Sequence, residues 1–169
     1  MKIHIPIRET IFGAEDGIVS TLGVVVGVAA GTNNRDIVIL TALVLVVVES
    51  ISMAAGTYLS NKSEMEVAHL SVRNIFSKSI SGSFFMGLSY ILGGLTSIMP
   101  FFFLSPSQAI LPSIALSIAV LFTIGFIKGQ LAGINKIKSG LEMSLVSISA
   151  AALGYLIGKI VSSFTQLPI

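Results

Sequence analysis

The 169-residue chain contains no cysteine, which removes both a disulfide framework and any thiolate metal site. Histidine is almost as scarce: His4 and His69 are the only two, and both fall outside the long apolar stretches. That leaves no imidazole within those stretches for a metal triad or a general base. Charge is thin as well, at 11% of residues, and the ten Lys and Arg are scattered rather than gathered into a basic face, so no nucleic acid is expected as a partner. The chain has no Gly-rich Walker segment, no soluble catalytic domain and no nucleophile–base constellation. An enzyme is therefore not expected, and neither is a resident cofactor.

What is abundant is apolar surface. Hydrophobic residues make up 53% of the chain and the mean hydropathy is +0.94, more than a soluble domain of this size can hide beneath a hydrated exterior. Five apolar stretches recur, at 11–31, 36–60, 82–104, 107–128 and 140–162. Each comes near the ~20 residues with which a helix crosses ~30 Å of hydrocarbon. They are built of leucine, valine, alanine and glycine with scattered serine, without the strict alternation of outer-membrane strands. The expectation is an all-α polytopic membrane protein, one transmembrane domain over 1–169 with five helices and a short cytoplasmic helical linker at 61–81. The first stretch is expected to stay as the first helix rather than act as a signal peptide: it carries Glu15 and Asp16 at its start, has few positive charges before it, and is followed by four more spans.

The basic residues set the orientation. Lys2 and Arg8 precede the first span, Lys62, Arg73 and Lys78 lie between the second and third, and Lys128, Lys136 and Lys138 surround the turn from fourth to fifth. Only Arg35 and Lys159 mark the other side. The positive-inside rule then puts the N-terminus in the cytosol and the C-terminus outside. Between the first two spans, "AGTNNRD" reads as a tight external turn, with Asp36 as N-cap of the second helix. "MPFFFLSPSQAILP" reads as an external turn with aromatics near the interface. Glycines recur every four residues at Gly23, Gly27 and Gly31 and again at Gly125, Gly129 and Gly133. Such spacing brings helix backbones together, either inside one subunit or at a dimer seam. With only five helices to surround a polar path, a homodimer is the expectation.

Three acids concern the membrane interior: Asp16, Glu49 and Glu142. A carboxylate at mid-helix costs at least ~2.5 kcal/mol on insertion scales, and such groups face a bundle interior, a cation or a proton path. At helical spacing Glu49 shares a face with Met53, Gly56 and Ser60, and one further turn reaches Glu64; Asp16 shares a face with Ser20, Gly23 and Gly27. Depth can be compared from the basic anchors. At ~1.5 Å per residue Asp16 lies ~12 Å beyond Arg8, while Met53 lies ~14 Å and Glu49 ~20 Å from Lys62, placing Asp16 and Met53 at one level. Two carboxylates, a thioether and nearby hydroxyls suit a borderline divalent cation such as Fe²⁺ or Mn²⁺. The alternative is that the acids are buried, protonated or bonded between helices, and that Met53 is core filler. Glu15 points about 100° away from Asp16 around the helix. Glu142 opens the fifth helix, where the helix dipole favours an acid, and is read as structural.

The chain resembles the vacuolar iron transporter family. The stretches that carry the likeness are "GAEDGIVSTLGVVVGVAAG", "SISMAAGTYLSNKSE", "SYILGGLTSIMPFFF" and "GFIKGQLAGINKIKSGLEMSLVSISAAALGYLIGKIV", which cover nearly the whole chain in order. The resemblance implies five transmembrane helices, a dimer with its ion path between subunits, and proton-coupled export of Fe²⁺ or Mn²⁺ from the cytosol. It maps the family's pore aspartate onto Asp16, its pore methionine onto Met53 and its "KSE" glutamate onto Glu64, at the cytoplasmic mouth. The chain departs from the family pattern in two places. Where the plant-type pattern has a glutamate two turns before the methionine, this chain has Leu45, and its acid is Glu49, one turn before. Where metal-capturing members insert a long Glu- and Met-rich helical domain, about fifteen residues stand here. Glu64, Glu66 and His69 remain as a possible remnant of that site, with Met65 and His69 four apart; a solvated helix extension is the plainer alternative. The metal ion and the lipid bilayer are thus the expected partners and a prokaryotic cell membrane the expected location. A non-transporting membrane scaffold or metal-binding protein with structurally buried acids is the rival reading.

Overall fold

The computed structural model describes residues 6–69 and 72–165, and every regular element among them is helical. In chain order these are α1 (Ile7–Thr32), α2 (Arg35–Val67), α3 (Val72–Ile98), a 3₁₀ turn (Met99–Phe102), α4 (Pro106–Leu131) and α5 (Lys136–Thr165). Five of them are long and apolar enough to cross a membrane. The 61–81 linker is helical over most of its length, as an extension of its neighbours: α2 runs on to Val67 and α3 begins at Val72.

Local chemistry explains the breaks. Asn33 takes the left-handed conformation at φ 45° and gives its N–H to the Ala29 carbonyl, closing α1. Asn34 is extended, and its Oδ1 accepts from the N–H groups of Asp36 (3.0 Å) and Ile37 (3.2 Å). Asn34, not Asp36, is therefore the N-cap of α2. The expected cap sits two residues later, in the first turn, where a carboxylate still suits the positive end of the helix dipole. Asn34→Ala is expected to cost about 1 kcal/mol, read as a lower thermal midpoint of the purified protein; an unchanged midpoint would deny the cap any weight. At the other end of the bundle Gly133, at φ 68°, ends α4, with the Ile134 N–H returning to the Gly129 carbonyl at 3.0 Å. Asn135 then caps α5. Because α5 begins at Lys136, Glu142 is exposed in the second turn of the helix rather than at its opening, so the dipole does not explain it.

α1 is the centre of the bundle and contacts all four other spans. The main core gathers Leu22, Val25, Val26 and Ala29 of α1 with Val38, Ala42 and Val46 of α2, Ile98 and Phe101, Ala109 of α4 and Ala151 of α5. Phe101 is buried there, whereas Phe102 and Phe103 are exposed, so only part of the aromatic run faces outward. The outside is as apolar as the inside, with Leu40, Ile51, Leu111 and Leu153 all largely exposed, which only a hydrocarbon solvent favours. In such a solvent helices gain nothing by hiding leucine; close backbone approach and interhelical hydrogen bonds must hold them. Both occur. Ser97 of α3 donates to the Ile18 carbonyl at 3.0 Å and shares a hydrogen bond with Ser117 of α4, while Ser113 donates to the Ser97 carbonyl at 2.6 Å. At the edge of the bundle, the Arg35 guanidinium bonds the carbonyls of Phe101 and Phe102, tying the start of α2 to the turn after α3.

The glycine triplets resolve within the chain. A Cβ at Gly27 would lie 2.9 Å from the Gly154 carbonyl oxygen, and one at Gly31 would lie 3.0 Å from that of Gly158. Gly23 faces Ala150 in the same way. The α1 triplet is thus a seam with α5 of the same subunit, not a dimer contact. Gly125 and Gly129 likewise receive the start of α5, while Gly133 serves the turn alone.

Candidate functional site

α3 is the ruler that positions α1 against α2. On one side, Gly13 and Gly17 of α1 press on the backbone of Met86 and Tyr90, and Gly93 presses back on the Ala14 carbonyl. On the other, Gly94 meets Val46, Gly87 meets Ser50 and Ala54, and Gly82 meets Asn61 and Thr57, all of α2. Glycine at these points lets α1 lie backbone to backbone on α3, and leaves room on the other side for the Val46, Ala54, Thr57 and Asn61 side chains of α2. Gly94 also touches Thr21, and Gly82 also touches Glu9, so these two contacts bracket the height of α1 on α2. Asp16 falls between them, across from the stretch that holds Glu49 and Met53.

All three of these side chains are half-buried. The Asp16 and Glu49 carboxylates lie near enough for their charges to act on each other and on the Tyr90 phenol. Tyr90, only 1% exposed, holds the Asp16 turn from behind: its hydroxyl bonds Ser20 Oγ at 2.7 Å, and Ser20 Oγ donates to the Asp16 carbonyl at 2.6 Å. Tyr90 is then the donor to Ser20, which fixes its proton on that side. Toward the basic end, Glu9 comes beside Asn61 and Thr57, extending the polar strip of α1 by two turns.

The polar face of α2 continues where no described residue covers it. Among the described residues no atom lies within 4 Å of a Cβ built at Gly56, and Ser60 and Glu64 are exposed. Glu64 stands about 16 Å from Met53 at ~1.5 Å per residue, so one subunit does not bring it to the inner acids. Glu66 pairs with Lys62 at 3.7 Å. α2 ends at Val67, and His69 lies beyond it in the left-handed region at φ 54°, so Met65 and His69 do not share a helical face. Among the described residues no group of three or more His, Cys, Asp or Glu converges on one point.

Tyr90 and Glu9 were not apparent from the sequence. Glu9 had a signal, since it precedes Asp16 by seven residues and so shares its face. Tyr90 had none, because one tyrosine in an apolar run reads as core.

A profile of the VIT family matches residues 7–78 and 70–159, nearly the whole chain. The chain belongs to the VIT family. The two matched segments meet at the junction of α2 and α3. Among VIT-family relatives, "Vacuolar iron transporter 1" of Tulipa gesneriana is 31% identical over 87 residues, covering 51% of this chain but only 35% of the tulip protein. An uncharacterized protein of Methanocaldococcus jannaschii is 27% identical over 169 residues, covering 90% of this chain and 88% of its own length. "Vacuolar iron transporter 1" of Arabidopsis thaliana is 21% identical over 214 aligned positions, covering 92% of this chain and 86% of its own length. An alignment of that length against a chain of 169 residues means that the plant protein carries inserted residues.

Proposed function

We propose that this VIT-family protein moves a divalent metal, Fe²⁺ or Mn²⁺, out of the cytosol in exchange for protons, along a path between the two subunits of a homodimer. The observation that carries the reading is that half-buried Asp16 and Glu49 lie within range of each other's charge, with half-buried Met53 one turn from Glu49, on the edge of a polar α2 face that the described residues leave uncovered. Two like charges half-buried in an apolar bundle repel and are poorly solvated; a dication between them, or a proton on one of them, relieves both costs. A second copy over α2 would double the donor set to four carboxylates and two thioethers, mixed donors that favour a borderline cation over Ca²⁺ or Mg²⁺. Glu64 stands at the cytoplasmic mouth, Met53 and Asp16 at the middle and Glu49 beyond them. The named vacuolar iron transporters among the relatives support the choice of cargo.

The test is flux into proteoliposomes of the purified protein. Fe²⁺ or Mn²⁺ uptake is expected to follow an imposed pH gradient, to fall several-fold when a protonophore collapses it, and to fall again in Glu49→Gln. Uptake indifferent to the gradient removes proton coupling. The brief α2–α3 connection favours one other reading, a membrane protein that binds metal without moving it; folded protein that binds Mn²⁺ but passes none would establish that instead.

A further inference from the structure

A cleft of about 400 Å³ opens on the lipid-facing side of the bundle between α1, α3 and α4. Its cause is visible in how the helices are held. The serine contacts that join α3 to α4 involve Ser97, Ser113 and Ser117, all far from the basic end. Toward that end α4 follows α5 instead, because Gly125 and Gly129 sit against Ser139, Gly140 and Lys136. The two helices part, and an apolar furrow remains, with Ala14 and Leu92 among the residues on its walls.

We propose that this cleft seats one acyl chain of an anionic phospholipid from the leaflet at the basic end, its phosphate held between Arg8 and Lys128. Three observations support the occupant. The cleft runs from Ile7 to Ile18 on α1 and from Leu131 to Val120 on α4. Either run is about 16 Å at ~1.5 Å per residue, the half-thickness of a ~30 Å hydrocarbon core, and so the reach of a single leaflet's chain. Arg8 follows Ile7, and Lys128 lies one turn before Leu131, which puts a cation on each side of the mouth; among the described residues neither has an acidic partner. Finally, at ~100° per residue, Glu9 and Asp16 lie about half a turn around α1 from Ile7 and Ile18. The cleft therefore faces away from the proposed metal path, and a dimer formed over α2 leaves it open to lipid. Basic side chains at a membrane surface draw anionic headgroups, and an apolar furrow behind them makes the attraction local rather than diffuse.

The experiment is lipid binding to the intact protein, by native mass spectrometry of protein extracted from vesicles of phosphatidylcholine alone or of phosphatidylcholine and phosphatidylglycerol in equal parts. Retention of one phosphatidylglycerol per subunit, in preference to phosphatidylcholine, is expected. Arg8→Gln with Lys128→Gln is expected to weaken that retention roughly thirtyfold, the product of two surface cations. Filling the cleft by Ala14→Phe is expected to abolish it. Should that variant fail to fold, Thr96→Phe closes the deep end instead; the Thr96 hydroxyl bonds the Leu92 carbonyl of its own helix. Equal retention of the two lipids, or retention untouched by the charge variants, overturns the proposal. So does phosphatidylglycerol that stays on after the cleft is filled, since it then binds elsewhere. A filled cleft that instead breaks the protein into monomers overturns it too, by making this face the contact between copies.

Discussion

Asp16→Asn is expected to lower metal flux tenfold or more while leaving the fold as stable as before, or more so. The change is nearly isosteric and removes one of two like charges held beside each other in the bundle. Among the described residues no hydrogen bond or ion pair to the Asp16 carboxylate holds the fold: the contact from Ser20 goes to the Asp16 backbone carbonyl, which the substitution keeps. A dication in the path would lose much more. Two unit charges at ~4 Å attract by about 4 kcal/mol at an effective dielectric near 20, before desolvation is subtracted. A third of that is already about a tenfold change in an equilibrium constant. The measurement pairs Mn²⁺ uptake by proteoliposomes with the thermal midpoint of the same preparation. Reduced flux at an unchanged or raised midpoint places Asp16 in the path. A lowered midpoint with unchanged flux from the folded fraction would make it a structural acid and sink the assignment.

The second large effect concerns the seam between α1 and α5. Glycine of each helix lies on the carbonyls of the other, so that a Cβ at Gly154 would fall far inside contact distance of the Gly23 carbonyl oxygen, and one at Gly158 far inside that of Gly27. Both clashes are with backbone, which cannot turn aside as a side chain can. Gly158→Ala would ordinarily gain about 1 kcal/mol from helix propensity. Here the helices must part by about 1 Å to restore contact distance, and overpacking of a fitted interior costs ~1–3 kcal/mol or more. The clash wins. Gly158→Ala should lower the thermal midpoint, and Gly158→Leu should prevent recovery of folded protein. Gly56→Ala is the control, since open space surrounds Gly56 in the single chain. It should stabilise a monomer by the propensity gain alone. If it instead weakens association of purified protein, a second copy lies over α2, as the proposed path requires. A midpoint for Gly158→Ala equal to wild type would show the seam to be looser than its geometry.

The one-dimensional properties of this protein were legible in its residues. Hydrophobic runs near 20 residues long can only be spans, so five membrane helices and the break points between them follow from composition and order. The motifs around Asp16 and Met53 pointed to the family in the same way, since they are local strings. Boundaries were less legible: the choice between Asn34 and Asp36 as cap depends on which residue turns extended, and both are good caps in isolation.

Partnership between helices was decided only in three dimensions. Glycines every four residues say that something approaches closely but not what, and here the neighbour is α5 of the same subunit rather than a second copy. Helical spacing put Glu49 and Glu64 on one face of α2, yet only the glycine contacts along α3 bring Glu49 beside Asp16 and leave Glu64 in the open. A sequence determines which face of a helix is polar, because that is set by a period of 3.6 residues. Which neighbour meets that face depends on how five helices share a small number of close contacts, and no property of one helix contains it.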